Sequence, residues 1–205
     1  MHEMQISEEE PLGLRERKRQ RTRETIARVA LELFDRQGFQ ETTIAQIAEA
    51  ADVSPRTVSA YFPHKEDLAF PDVEEDFAAF DARLRDRLPG ETAIDALREF
   101  IRSLLEEGEP RASERRVRQR VIHADEGLRV HEHHSWARVQ ESLAAAIARD
   151  LGVSAYDLEP RMAAAATLTV FELLGTHDDD ADPAEALAMI DRALLFIGGG
   201  ISALR

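Results

Sequence analysis

The sequence predicts an all-α protein with a small N-terminal bundle and a larger helical body, and three observations carry that prediction. Apolar residues recur at spacings of three and four, as in Ile94, Leu97, Ile101 and Leu104, which places each set on one helix face. Glycine and proline punctuate the periodic segments at Gly38, Pro89-Gly90 and Gly152, where a helix has to stop. The last segment repeats Leu187, Ile190, Leu194, Ile197, Ile201 and Leu204 as a heptad seam. At 205 residues, 43% hydrophobic and 32% charged, the chain has an ordinary globular composition. It has no apolar run long enough to span a bilayer. It also has no cysteine, which excludes disulfides, thiolate metal sites and thiol redox chemistry.

The elements follow in order. Residues 1–14, beginning MHEMQISEEEPLG, are acidic and lack a hydrophobic signal region, so a disordered tail on a cytoplasmic protein is expected. Residues 15–37 form a first helix with Ile26, Ala30, Leu33 and Phe34 buried, and Gly38 is expected as its left-handed cap. A basic arm runs from Arg15 to Arg28, with Arg15, Arg17, Lys18, Arg19, Arg21, Arg23 and Arg28 against only Glu16 and Glu24, and is expected to lie along phosphates. Residues 39–68 then read as helix, tight turn, helix. Thr42 or Thr43 can cap the first of these, and Ile44, Ile47 and Ala48 share its inner face. Asp52 sits where the turn needs a left-handed residue, which Asp tolerates. Ser54 caps the second helix with Pro55 at its first position, and Val58 and Phe62 turn inward.

A short helix with two buried anchors leaves Arg56, Thr57, Ser59, Ala60 and Tyr61 facing elsewhere. These groups suit nucleic acid: arginine takes guanine by two bonds, hydroxyls serve bases or phosphates, and a methyl touches thymine. His64 and Lys65 follow at the start of another helix, where a cation opposes the helix dipole and a phosphate would account for it. The stretch GFQETTIAQIAEAADVSPRTVSAYFPHKEDL resembles the N-terminal DNA-binding domain of the TetR family of bacterial transcriptional regulators. Thr42-Thr43, Ile44, Ile47-Ala48, Val53-Ser54, Thr57-Val58, Tyr61-Phe62, Lys65 and Leu68 stand in the family's order. Asp52 replaces its usual glycine, and Ser59 stands where many members carry a DNA-contacting aromatic residue. Residues 15–68 are therefore expected to bind double-stranded DNA through Arg15, Arg17, Lys18, Arg19, Arg21, Thr42, Thr43, Ser54, Pro55, Arg56, Thr57, Ser59, Ala60, Tyr61, His64 and Lys65. The net charge of −14 does not oppose this. Residues 11–65 hold ten Lys and Arg against seven Asp and Glu, a balance of +3, and the remaining 16 and 33 give −17.

Residues 69–205 make the body. A linking helix over 64–87 carries Leu68, Phe70, Val73, Phe77, Phe80 and Leu84, with a break or kink expected at Pro71. A helix starting at Glu91-Thr92 ends before Gly108 and Pro110. A basic segment follows, with Arg111, Arg115, Arg116, Arg118 and Arg120. It reads as a solvated face pairing with nearby acids or as a cationic wall for an acidic ligand. Residues 132–150 form another helix, followed by one from about Tyr156, after Ser154, to Gly175, with an Ala-rich middle at 163–166. The stretch His177 to Asp182 is an acidic loop. The final helix starts near Pro183, and its glycines 198–200 each cost roughly 1 kcal/mol relative to alanine, which asks for tertiary support.

Phe77, Phe100, Leu104, Val121, His123, Trp136, Met162 and Phe171 are the candidates for a ligand pocket. Ala165, Thr169, Leu187, Ile190, Leu194, Ile197 and Ile201 are the candidates for a dimer interface, and the TetR resemblance likewise implies dimers through the last helices. From Arg115 onward the pattern is loosely similar to actinobacterial members such as regulators of mycofactocin clusters, which allows a hydrophobic or acyl-CoA-like effector. The leading expectation is a homodimeric repressor, not an enzyme, released from a palindromic operator by a small molecule, with no cofactor, no metal and no membrane partner. Two alternatives remain at this stage. His131, His133 and His134, the first and last sharing a helix face, could serve a metal-dependent enzyme, or the protein could bind DNA without any ligand.

Overall fold

A computed structural model describes residues 13–105, 109–175 and 183–203. Among them the chain forms nine α-helices and one 3-10 turn, with no strand. It divides into two compact units, Met1–Pro71 and Asp72–Arg205.

The first unit holds α1 (Leu14–Gln37), α2 (Ile44–Ala50), α3 (Pro55–Tyr61) and the 3-10 turn Glu66–Leu68. Ile26, Ala30 and Phe34 of α1 meet Ile47, Val58, Phe62 and Leu68, all 2% exposed or less, and Phe39 packs edge-on against Phe34 at 5.0 Å. Thr43, not Thr42, caps α2. Its hydroxyl accepts from the Gln46 amide at 3.2 Å while the Gln46 side chain accepts from the Thr43 amide at 2.8 Å, a reciprocal capping box. Ser54 caps α3 by accepting from the Thr57 amide at 3.0 Å, with Pro55 at the first turn. Asp52 takes the left-handed conformation its place in the turn demands, φ 54°. Gly38 departs from expectation. Its φ is 89° but its ψ is 154°, so it lies in extended backbone of the opposite hand, a region essentially restricted to glycine, and not in a left-handed helical cap.

The second unit holds α4 (Val73–Arg85), α5 (Ala93–Leu105), α6 (Glu109–Ala124), α7 (Glu126–Leu151), α8 (Leu158–Gly175) and α9 (Pro183–Ser202). The expected linking helix over 64–87 is thus interrupted. Pro71 has no amide to give and disfavours helix at the residue before it, so a 3-10 turn precedes it and α4 follows. The core joins Phe80 and Leu84 of α4, Ala93, Ile94, Leu97 and Ile101 of α5, Leu143 and Ile147 of α7, Ala164 of α8 and Leu194 of α9. Asp150 pins this core from the C-terminal turn of α7. One carboxyl oxygen accepts from the Ala93 amide at 2.7 Å, opening α5, and the other pairs with Arg87 at 2.6 Å.

Two helices start away from their expected places. α7 begins at Glu126, six residues before the 132 expected, because Asp125 caps it by accepting from the Leu128 amide at 3.0 Å. The histidine-rich stretch therefore lies inside a helix. α8 begins at Leu158, after Ser154 and Asp157 close a turn between them.

The seam on α9 faces inward. Ile190, Leu194 and Ile201 are buried and Ile197 half-buried, all packed into the core of their own unit. The buried surface of Ile190, Leu194 and Ile201 is already covered within the unit and has little further to gain from a partner. The helix continues through all three glycines, and a Cβ on Gly198 would meet Ile94 at an ordinary 3.6 Å. The side chains of Leu104, Phe171 and Leu187, and residues 177–182 and Leu204, lie outside the described residues.

Candidate nucleic-acid interface

The interface is built by burying two anchors of α3 and leaving the rest outside. Val58 is fully buried and Phe62 2% exposed. Ser54, Pro55, Arg56, Ser59 and Ala60 are exposed, and Thr57 and Tyr61 half-buried. A seven-residue helix fastened on one side thereby presents a guanidinium, hydroxyls and a methyl on the other, the set that reads base edges. Ser54 and Thr57 share a hydroxyl contact at 2.8 Å, which fixes both rotamers beside Arg56.

Thr43 is exposed at the start of α2, and its unit of α1 carries Arg15, Arg17, Lys18, Arg19 and Arg21 exposed along the first two turns. These are long cations free to follow a phosphate backbone. His64 is exposed as well. Thr42 is different: it is 1% exposed, donates to the Gly38 carbonyl at 2.8 Å and accepts from Gln37 at 3.1 Å. Its hydroxyl serves the turn after α1, so the structure does not bring it to the reading surface.

Lys65 also turns inward. Its ammonium donates to the Phe39 carbonyl at 2.6 Å and lies 4.3 Å over the Phe39 ring. Arg23, part of the expected basic arm, lies over the Phe62 ring at 5.3 Å and donates to the Pro71 carbonyl. Lys65 ties the segment after α3 to the turn after α1, and Arg23 ties α1 to Phe62 and Pro71. Their partners stand 26 and 48 residues away, beyond any local pattern.

In the body the described residues of the expected pocket have separate surroundings. Phe77 lies beneath the Arg138 guanidinium at 4.2 Å, and Arg138 also pairs with Glu74 at 2.5 Å, tying α4 to α7. Phe100 packs edge-on against Phe80 at 5.4 Å. Val121 is buried, His123 is exposed, and Met162 is 60% exposed on the outside of α8. Trp136 lines a half-enclosed pocket of about 180 Å³ between α7 and α8. His133, Ala137, Gln140 and Leu168 complete it, together with Ala165 and Thr169, which the sequence had suggested for the dimer interface. Among the described residues no three His, Asp or Glu side chains gather as a metal site, and no helix is long and apolar enough to cross a membrane. The Glu91 carboxyl is held below its usual range chiefly by its hydrogen bonds with Arg83, and Glu74 likewise by Arg138.

The fold and its exposed short helix define a helix-turn-helix DNA-binding protein with an all-helical second unit. Comparison with known proteins agrees. Residues 26–70 match the model for bacterial regulatory proteins of the tetR family, and residues 91–202 match the MftR C-terminal domain. The chain belongs to the TetR family. It is 44% identical to the transcriptional regulator TcmR of Streptomyces glaucescens over 93 residues, 45% of this chain and 41% of that one. The chain thus spans about two fifths of that relative's length. It is 28% identical to MftR of Mycobacterium tuberculosis over 192 residues, covering 92% of this chain and 95% of that one. Among solved structures it resembles Salmonella enterica GusR (TM-score 0.64, 24% identity, 96% of this chain and 100% of that one). It also resembles the Thermus thermophilus repressor FadR in complex with lauroyl-CoA (TM-score 0.54, 27% identity, 84% and 93%).

Proposed function

We propose that the protein is a cytoplasmic, homodimeric transcriptional repressor that binds a palindromic operator and releases it when a small molecule occupies the helical body. The observation that carries this reading is α3, anchored by Val58 and Phe62 with Arg56, Ser59 and Ala60 exposed. A surface of this make-up has little use in a packed bundle and a direct one in a major groove. The charge distribution supports it, since an acidic body turns only the basic unit toward DNA.

Dimerisation is supported by a second exposed feature. Leu158 and Met162 on α8 are 67% and 60% exposed, and Leu195 and Phe196 on α9 are 62% and 85% exposed. α8 and α9 pack together as consecutive helices. Large apolar side chains left open on adjacent helices mark an association surface, and a second copy covers them with a four-helix contact. This face replaces the inward seam as the site of dimerisation. Two units in a two-fold dimer then meet half-sites about 34–36 Å apart or a multiple of that. A ligand releases DNA only to the extent that it binds the released form more tightly than the operator-bound form.

Selection of binding sites from random duplex DNA, followed by affinity across a salt series, tests the proposal. The expected result is a palindrome, with log affinity falling by about 0.9 per phosphate neutralised for each unit of log salt. Enrichment of no sequence, with binding that vanishes at moderate salt, would reduce the protein to nonspecific contact through the α1 arm.

A further inference from the structure

We infer that the pocket between α7 and α8 is a binding site for a neutral one-ring aromatic compound that carries a hydroxyl or amide. This goes beyond the proposed function by placing the effector and naming its chemical class, and it rests on that reading only for the consequence for DNA. The size comes first. At about 180 Å³ the pocket is near the roughly 150 Å³ cavity that accepts benzene and below the roughly 300–1,000 Å³ of sites for larger ligands. It is too small to enclose a long acyl chain.

The lining sets the chemistry. Trp136 offers an aromatic wall and Leu168 an aliphatic one, between which a planar ring gains both burial and a ring–ring contact. Gln140 supplies an amide that both donates and accepts. The Thr169 hydroxyl donates to the Ala165 carbonyl at 3.2 Å, which leaves its oxygen as an acceptor for a ligand O–H or N–H. None of the described lining residues is Lys or Arg, so among them there is no fixed cation to compensate a buried phosphate or carboxylate. The two walls come from different helices, so a ring between them bears on how α7 and α8 pack.

Trp136 is the only tryptophan, so the full chain labelled with ¹⁵N gives one indole N–H signal, and that signal reports on this site. Titration with 4-hydroxybenzamide should move it saturably. Gln140→Leu and Thr169→Val should each weaken the binding by about three- to ten-fold, the worth of one hydrogen bond. Lauroyl-CoA in parallel should not produce the same saturable movement. An indole signal unmoved at millimolar 4-hydroxybenzamide overturns the proposal, and so does a movement that neither substitution weakens. Operator affinity measured in the same samples separates the two readings. Ring binding without any change in operator affinity keeps the site and sinks release by this ligand. Operator release by lauroyl-CoA with no ring binding does the reverse.

Discussion

Arg56 stands exposed on α3, whereas the ammonium of Lys65 donates to the Phe39 carbonyl and covers the Phe39 ring. The two therefore fail differently. Arg56→Ala should cost roughly 1–3 kcal/mol of operator binding and relax preference at one base position, with no change in melting temperature. Losses of equal size on every sequence would remove Arg56 from base reading. Lys65→Met should destabilise the DNA-binding unit by about 2–4 kcal/mol, the sum of one charged hydrogen bond and a cation–π contact. It should weaken all DNA sequences alike through the misplaced turn after α1. Unchanged stability together with a salt slope smaller by about one would mean that the lysine neutralises a phosphate instead. Neighbouring residues explain what was legible at this scale. Ser54, Pro55 and Asp52 act within three positions of themselves, so their roles stand in the local sequence. Thr42 and Thr43 look alike in sequence, and only the burial of Thr42 against Gly38 and Gln37 separates them.

At the scale of elements, periodicity located helices well and their ends poorly. α7 starts early because a single carboxylate caps it, and the polar stretch after Asp125 offers only Leu128 as an early buried residue, too little for a pattern. The seam on α9 was visible as 3, 4, 3, 4 spacing, but spacing states that a face is buried and not by what. Here α5 and the rest of the core took it. The junction between α4 and α5 carries a testable electrostatic consequence. Arg83 pairs with Glu91 at both guanidinium nitrogens, and Glu91 also accepts from the Leu88 amide at 2.8 Å. Its carboxyl is thereby held low, so the folded state binds that proton less readily than the unfolded chain. The stabilisation is present above the ordinary carboxylate range and is lost as pH falls through the folded value. Melting temperatures between about pH 7 and about pH 3 should fall for the native chain, and Glu91→Gln should flatten part of that fall. A difference between the two that stays constant with pH would rule out this linkage.

At the scale of the whole molecule, the question is which apolar surface a second copy covers. The heptad pattern directed attention to Leu194 and Ile197, and the exposed residues between them, Leu195 and Phe196, carried no periodic signal of their own. Substitution separates the two faces. Leu194→Ala removes a fully buried side chain from the core and should cost about 2–5 kcal/mol of folding stability, whatever the oligomeric state. Phe196→Glu puts a charge at a position 85% exposed in one chain, which a monomer tolerates and a desolvated contact does not, since the charge would be buried without a partner. Sedimentation should therefore show a dimer for the native chain and a monomer for Phe196→Glu, with helix content retained. The monomer should still bind a single half-site weakly while losing the affinity that comes from engaging two at once. A Phe196→Glu protein that remains dimeric and keeps its operator affinity would move the interface away from α8 and α9 altogether. The two-half-site model would then need another surface to set its spacing.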